Sequence, residues 1–229
     1  MTFRPLLIVN AILVAAMAGL SAWAWPAIPD AAQLPVQWGL DGEPHRFGSK
    51  LEVLTLMPAA AALTTALLWY LPQIDPRRAN IEASAKFWNV VAIAVVALLA
   101  YLHGLLVLNA IGRTFVIIDY LLPALALTMI VLGNYLGKTR SNWFGGIRTP
   151  WSMSSEYSWE HTHRWAGRLF VASGLAALVA WPLTNATTAM TVLTASVVLT
   201  VVIAVALSYI FWKNDPSRKN DARAANGGA

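Results

Sequence analysis

Apolar residues occupy six long stretches of the chain, separated by short polar segments. The stretches lie near residues 5–25, 51–71, 87–108, 115–136, 165–183 and 190–212. Each has roughly the 20 residues that an α-helix needs to cross the hydrocarbon core of a bilayer. Helices also satisfy their own backbone hydrogen bonds in lipid. The pattern therefore predicts an all-α integral membrane protein with six transmembrane helices.

The Lys and Arg residues indicate how these spans are oriented. With the N-terminus inside, 13 of the 16 Lys and Arg residues fall in cytoplasmic segments, and the other three are Arg46, Lys50 and Arg113. This bias follows the positive-inside rule and predicts that both termini are cytoplasmic. The net charge of +5 therefore indicates the orientation of the spans. We expect the lipid bilayer to be a partner and expect no direct binding of nucleic acid.

Composition and motifs exclude several kinds of chemistry. The chain has no cysteine, so it has no disulfide, thiolate nucleophile or cysteine-ligated metal. It also lacks a Gly-x-Ser-x-Gly elbow, a Walker loop and a His-Glu-x-x-His pattern. We therefore expect a non-enzymatic protein without a cofactor or a metal site.

The longest outer segment, about residues 26–50, has the pattern of a hairpin. Val36, Trp38 and Leu40 alternate with polar or small residues, and Asp41-Gly42 supplies a turn signal. A short extracellular β-hairpin is predicted between the first two spans. It is either a connector or a lid that faces a ligand, with candidate residues Trp38, Asp41, Gly42, Glu43, Pro44 and His45.

Three regions are predicted along the chain. Residues 1–86 form a two-span region with the extracellular loop, and residues 87–213 form a four-span region. Residues 214–229 are polar and rich in Asn, Ala and Gly, which is typical of a disordered cytoplasmic tail.

A polar island, residues 142–164, interrupts the apolar pattern between the fourth and fifth spans. Gly145-Gly146 permits a tight bend, and Thr149-Pro150 favours an extended residue followed by a turn. Ser154 is a candidate helix N-cap, with Glu156 in the first turn. We predict a helix that begins there and continues into the fifth span.

The histidines of this island suggest a metal site, but their spacing argues against it. Glu160, His161 and His163 do not share one helix face, because residues two apart point in nearly opposite directions. Glu160 and Arg164 instead have the spacing of an intrahelical ion pair. Trp159 and His163 share a face. A structural corner between loop and helix is favoured over a surface that binds a partner.

His103 and Asp119 are the ionisable residues predicted to lie within the membrane. Each is eight residues from Ile111 in the connecting loop, so an antiparallel helix pair places them at similar depth. Such groups usually face a partner or a water-filled cavity. The pair either locks two helices, which is favoured, or forms a site that responds to protons or a ligand.

The island also resembles a known family signature. The residues that carry the resemblance are Gly133-Asn134, Asn142-Trp143-Phe144-Gly145, Gly146-Ile147-Arg148-Thr149-Pro150-Trp151, Ser155-Glu156, Trp159, Thr162-His163-Arg164 and Gly167. They are similar to the signature of the SdpI family of bacterial membrane immunity proteins. The first two spans resemble the domain of unknown function that often precedes this signature, through Leu34-Pro35, Trp38, Leu40, Gly42-Glu43-Pro44 and Gly48-Ser49-Lys50. Gln37 and His45 depart from that pattern.

The resemblance implies a role in the bacterial cytoplasmic membrane. It implies protection against a membrane-active peptide toxin and, in the best-known type, capture of a cytoplasmic transcriptional repressor. The implied ligand or partner surface contains Asn134, Asn142, Trp143, Phe144, Gly145, Arg148, Thr149, Pro150, Trp151, Glu156, Trp159, His163 and Arg164. The alternatives are a small transporter or ion-coupled protein that uses His103 and Asp119, and a membrane enzyme with an active site of no catalogued type.

Overall fold

The computed structural model describes residues 3–39 and 42–218, and within them six long helices dominate the fold. The long helices are α1 Arg4–Ala24, α2 Lys50–Ile74, α4 Ala85–Ala110, α5 Ile117–Leu136, α7 Glu156–Leu183 and α8 Ala186–Lys213. Two short helices, α3 Arg78–Ala83 and α6 Pro150–Met153, lie in the connections. All six long helices are long and apolar enough to cross a membrane, which confirms the six predicted spans.

The predicted hairpin between the first two spans is confirmed. Strand β1, Leu34–Trp38, pairs antiparallel with β2, Pro44–Gly48. Gly42 has φ of 82°, a value that favours glycine, so the turn depends on that residue. The predicted residues Leu40 and Asp41 lie outside the described residues. We call this end of the bundle the hairpin end.

The opposite end carries the start of α1 and the end of α8, and we call it the termini end. Phe3, Ile81, Phe144 and Ala204 contribute to one apolar cluster there. The tail was predicted to begin at residue 214, but Asp215 is buried and accepts a hydrogen bond from Ser155. Residues 219–229 of that predicted tail lie outside the described residues.

By packing, the third span belongs with the first two. The Asn10 amide of α1 donates to the Ala92 carbonyl of α4 at 3.4 Å, and Ser21 donates to the Leu54 carbonyl of α2 at 2.7 Å. Helices α5, α7 and α8 form a second group, in which α7 lies between the other two. The sequence regions were divided at residue 86, before α4. The two groups of packed helices are instead divided between α4 and α5.

Glycines set the close approach of α5 and α7. A Cβ on Gly133 would lie 2.6 Å from the Gly167 carbonyl oxygen, and one on Gly167 would lie 2.5 Å from the Gly133 oxygen. Gly174 meets the Ala126 oxygen in the same way. Small residues of this kind bring helices close together in lipid, where no hydrophobic effect drives them together.

The helix that contains the fifth span begins one residue later than predicted. Ser155 caps α7 by accepting from the Ser158 N–H, so the predicted cap at Ser154 is wrong. The reason is that Pro150 starts a separate short helix, α6, and Ser154 ends it. The continuation of α7 from Glu156 into the fifth span is as predicted.

The glycine contact between α5 and α7 gives a stability prediction. We expect Gly167→Ala to destabilise the purified protein in detergent by about 1–3 kcal/mol, because the added methyl group forces the two backbones apart. Gly19→Ala is the matched control, since nothing lies within 4 Å of its added Cβ. We expect that control to be neutral or slightly stabilising. Equal thermal midpoints for the two variants would contradict the assigned role of Gly167.

Candidate functional site

The polar island folds into a loop, residues 137–155, that we call the signature loop. It has little regular structure apart from α6, so its buried backbone groups need side-chain partners. Asn142 supplies several of them and is completely buried. Its oxygen accepts from the N–H groups of Phe144 and Gly145 at 3.0 and 2.7 Å, and its amide donates to the Arg140 carbonyl at 2.8 Å. The predicted site residue Asn142 is therefore the centre of the turn.

The two glycines of the loop allow it to lie against neighbouring rings. A Cβ on Gly145 would lie 2.9 Å from the indole of Trp88 in α4. Gly146 has φ of 100°, and a Cβ there would lie 2.3 Å from Nε2 of His163. Both rings are buried, so neither can move aside easily. The predicted bend at Gly145-Gly146 is therefore also the place where the loop backbone packs against the rings of Trp88 and His163.

His163 holds the loop to α7 as a neutral ring. Its Nε2 accepts from the Ile147 N–H at 2.8 Å, and its Nδ1 lies 2.8 Å from the Trp159 carbonyl oxygen. Because a backbone N–H can only donate, Nε2 carries no proton, and the proton on Nδ1 is donated to the carbonyl. Both ring nitrogens are thus engaged within the protein.

Trp159 completes the core of this corner. Its ring stacks on His163 with centroids 4.1 Å apart, and its Nε1 donates to the Thr139 carbonyl at 3.0 Å. The predicted shared face of Trp159 and His163 is confirmed by this stack. His161 instead packs against Tyr157, with centroids 4.0 Å apart, so the two histidines face different surroundings.

The connection between α2 and α4 holds the signature loop from the other side. Asp75, which is buried at the end of α2, accepts from the Arg77 N–H at 2.6 Å and from the Trp143 N–H at 2.9 Å. Arg77 donates to the Ser141 hydroxyl and to the Met153 carbonyl, and Asn80 donates to the Ser141 carbonyl at 2.8 Å.

Helix α8 holds the last part of the loop. Thr149 and Ser152 form a capping box at the start of α6, and the Thr149 hydroxyl also donates to Ser208 at 2.8 Å. Ser158 donates to the Ser208 carbonyl at 2.7 Å, and the Trp151 ring meets Tyr209 edge-on at 5.2 Å. The signature loop is therefore tied to α2, α7 and α8.

A smaller part of the predicted surface is exposed. Trp143 is 52% exposed, and Arg148, Pro150 and Glu156 are also exposed. The Arg148 guanidinium donates to the Trp143 carbonyl, so these two residues form one unit on the surface. Arg164 pairs with Glu160 at 3.3 Å, as the spacing predicted. Asn134 lies apart from this face, in a groove between α5 and α7.

The structure does not join His103 to Asp119. Nε2 of His103 lies 3.0 Å from the Ser21 hydroxyl and 3.2 Å from the Met17 carbonyl, so the histidine ties α4 to α1. Asp119 lies in the first turn of α5, at the edge of a cleft at the hairpin end. The predicted contact between His103 and Asp119 is therefore absent, and His103 contacts α1 instead. The residues of that contact are more than 80 positions apart in the chain, so local spacing did not indicate it.

The cleft at the hairpin end has a volume of about 440 Å³. Four segments line it: the hairpin, with Trp38, Gly42, Glu43 and Pro44; the start of α5, with Asp119; the turn before α8, with Asn185; and the end of α4, with Asn109. The first five of these are predicted site residues. His45 is not among the lining residues, and Asp41 lies outside the described residues.

Charge pairs fix the hairpin to the start of α2. Arg46 pairs with Glu52 at 2.6 Å, and the buried Lys50 pairs with Asp30 at 2.8 Å. The hydrogen bond and the charge of Lys50 lower the pKa of the Asp30 carboxyl below its ordinary value. The Asp30–Lys50 pair is therefore intact at neutral pH, and its contribution is lost as the pH falls through that lowered pKa.

Several residues of the site were missed in the sequence. Asp75, Asn80, Trp88 and Ser208 were assigned no role in it, and the basic residues of the connection at 72–86 were counted in the charge bias that orients the spans. One signal was present: an aspartate at the C-terminal end of an apolar helix is unfavourable for the helix dipole, so it implies another partner.

Comparison with known families identifies both regions. Residues 138–211 match the model of the SdpI/YfhL protein family, and residues 12–72 match the model of a domain of unknown function (DUF1648). These matches confirm the resemblance that the sequence motifs indicated. No curated protein and no solved structure matches the chain.

Gly146→Ala tests the contact between the loop and His163. Gly112→Ala is the matched control, because Gly112 has φ of 91° but nothing within 4 Å of an added Cβ. Both variants lose about 1–2 kcal/mol from the positive φ. We expect Gly146→Ala to lose about 1–3 kcal/mol more, because the Ile147 N–H also loses its acceptor. The measurement is thermal unfolding in detergent; equal losses would show that the contact contributes nothing.

Asp75→Asn tests the contact between α2 and the signature loop. The asparagine amide faces either the Arg77 or the Trp143 N–H, so one buried donor loses its acceptor, at a cost of about 1–3 kcal/mol. We expect amide hydrogen exchange to become about tenfold faster or more at whichever of Arg77 and Trp143 loses its acceptor. Glu82→Gln is the control, since Glu82 is half exposed and pairs with Arg78 on its own helix. Unchanged exchange at both Arg77 and Trp143 in Asp75→Asn would contradict this role for the aspartate.

Proposed function

We propose that this chain, whose residues 138–211 are of the SdpI/YfhL type, is a non-enzymatic immunity and signalling protein of the bacterial cytoplasmic membrane. It protects the cell against a membrane-active peptide, which it detects at the hairpin end. The exposed face of the signature loop docks a cytoplasmic regulator. The bias of Lys and Arg toward the termini end supports a cytoplasmic position for that loop.

The observation that carries the proposal is the position of α2. Its N-terminal cap, Ser49, follows the last residue of β2 directly, and its last residue precedes Asp75. The helix has 25 residues and is therefore about 37 Å long, enough to connect the two ends of the bundle. One continuous helix thus joins the hairpin to the Trp143 N–H, through Asp75.

The cleft at the hairpin end suits part of a peptide. Its volume of about 440 Å³ lies at the lower end of the range for ligand sites, which is enough for a few side chains. Trp38 and Phe115 offer aromatic surface, and the carboxylates of Glu43 and Asp119 favour a cationic or amine-bearing group. The occupant is therefore proposed to be a peptide that inserts apolar side chains and a positive charge.

The exposed face of the signature loop suits a protein partner. Trp143 and Arg148 are exposed, and tryptophan and arginine are residue types that often dominate interface energies. Both are held in place, because the Trp143 N–H is bound by Asp75 and its carbonyl by Arg148. This surface therefore loses little conformational freedom when a partner binds there.

In the proposed mechanism, peptide binding favours one of two positions of α2. A ligand shifts such an equilibrium only by the difference between its affinities for the two states. Because the cleft is built from the hairpin and from α5, a shift of α2 changes the shape of the cleft. The same shift moves Asp75, and with it Trp143.

Asp119→Asn tests the cleft in living cells. We expect expression of the unmodified protein to protect sensitive bacteria from a cationic membrane-active peptide. We expect Asp119→Asn to lower the highest peptide concentration that the cells survive by about tenfold, since a lost charged contact costs about 1.5–3 kcal/mol. Glu82→Gln is the control, because it removes the same charge from a carboxylate that does not line the cleft and pairs with Arg78 on its own helix.

Two further results decide the proposal. If the unmodified protein gives no protection against any of the peptides tried, the immunity role is wrong. If Arg148→Ala retains normal abundance and full protection, the exposed face of the signature loop is not needed for protection. A pull-down of cytoplasmic proteins with and without peptide then decides whether that face has a regulatory partner.

A further inference from the structure

A groove between α5 and α7 at the termini end is lined by basic residues. Its volume is about 380 Å³, and Asn134, Lys138, Arg164 and Arg168 surround a floor that includes Gly133 and Gly167. The four polar residues are exposed and the two glycines are buried. Because glycines form the floor, a ligand group can approach the helix backbones closely there.

The positive charge of this groove is only partly neutralised. Glu160 lies 3.3 Å from Arg164 and 3.5 Å from Arg140, so one carboxylate serves two guanidinium groups. In the part of the chain that the structure describes, no carboxylate pairs with Lys138 or Arg168. These two cations instead lie over the rings of Tyr135 and Trp165, at 4.2 and 5.2 Å. The groove therefore holds an excess of positive charge.

The helix dipole accounts for one of these cations. Lys138 follows the C-terminal end of α5, where a positive charge is favourable. Arg168 has no such explanation, because it lies well inside α7, which begins at Glu156. Its charge lies within a helix that is otherwise apolar enough to cross a membrane. A cation at that position needs an anionic partner or contact with the headgroup layer.

The depth of Arg168 corresponds to the headgroup layer. Gly167 contacts Gly133, which lies three residues before the end of α5, so Arg168 is about one turn inside that end. Side chains on a helix lean toward its N-terminus. For α7 that direction is the termini end, so the guanidinium groups of Arg164 and Arg168 lean toward the membrane surface.

We propose that this groove is a binding site for the phosphate of an anionic phospholipid in the leaflet at the termini end. Arg168 and Arg164 donate to the phosphate oxygens, because a guanidinium matches phosphate with two parallel donors. Lys138 adds charge, and the Asn134 amide adds a neutral donor. The acyl chains lie along the outer surface of α5 and α7. Basic pockets between transmembrane helices bind phospholipid headgroups in this way.

Lipid bound at the proposed site would stabilise the contact between α5 and α7. A phosphate bound to Lys138 and Arg164 crosslinks the end of α5 to α7, next to the glycine contact that sets their distance. The signature loop begins at the same place, since it connects these two helices. Bound lipid therefore stabilises the corner that carries the signature loop.

The experiment measures lipid bound to the purified full-length chain in a neutral detergent. After removal of native lipid, phosphatidylglycerol, phosphatidylcholine or inorganic phosphate is added at equal concentrations. Native mass spectrometry counts bound lipid, and the thermal midpoint reports stabilisation. We expect one tightly bound phosphatidylglycerol with at least about tenfold preference over phosphatidylcholine. No such preference would overturn the proposal, and equal stabilisation by inorganic phosphate would assign the site to a soluble anion.

Three variants separate the groove from general surface charge. We expect the double variant Lys138→Gln/Arg168→Gln to reduce the preference for phosphatidylglycerol over phosphatidylcholine about tenfold. Lys213→Gln/Arg218→Gln removes the same charge at the same end but outside the groove, and we expect it to keep the preference. Asn134→Trp leaves all three cations but fills the groove, and we expect it to weaken binding. Equal losses in the two double variants, or full binding by Asn134→Trp, would show that no defined site exists.

Discussion

The signature loop depends on one constraint: the backbone groups it buries must be hydrogen-bonded although the loop has almost no regular structure. Three side chains meet this requirement for four consecutive or nearly consecutive N–H groups. Asp75 binds that of Trp143, Asn142 binds those of Phe144 and Gly145, and His163 binds that of Ile147. The acceptors come from three different places in the chain. The shape of the loop is therefore a property of the whole bundle.

This constraint connects the part of the chain around α2 to the signature loop. Asp75, Arg77 and Asn80 lie just after the first matched region, residues 12–72, and the second matched region supplies the loop that they bind. Trp88 at the start of α4 packs against Gly145 from the same side. A displacement of α2 relative to the signature loop strains the hydrogen bond between the Trp143 N–H and Asp75. The proposed signalling route uses this contact, because α2 runs directly from the hairpin to Asp75, which accepts a hydrogen bond from the Trp143 N–H.

The basic groove and the glycine seam next to it have a common physical origin. In lipid, α5 and α7 gain little by burying apolar surface against each other, so contact between small residues and interactions at the ends determine their spacing. Gly133 and Gly167 bring the backbones together, and the same absence of side chains opens the groove beside them. The proposed lipid phosphate fills that opening.

The sequence by itself determined the elements of this protein. Long apolar runs require helices in lipid, so the six spans followed from hydropathy. The alternation at Val36 and Trp38, together with Gly42, indicated the hairpin. Local spacing was also sufficient for the Glu160–Arg164 pair and the Trp159–His163 stack, because residues four apart on a helix are always neighbours. The motif at Asn142–Trp151 was sufficient for the family resemblance, because its residue types are ordered over a long stretch.

Only the tertiary structure decided the partners across the bundle. His103 and Asp119 lie in adjacent spans, which made a pair plausible, yet helix rotation turns His103 toward Ser21 of α1. The grouping of α4 with α1 and α2, and the contact of Asp75 with Trp143, join residues that are far apart in the chain. In a membrane helix nearly every face is apolar, so the sequence pattern does not indicate which face meets which neighbour. That choice depends on side-chain packing and hydrogen bonds between helices, which exist only once the bundle has formed.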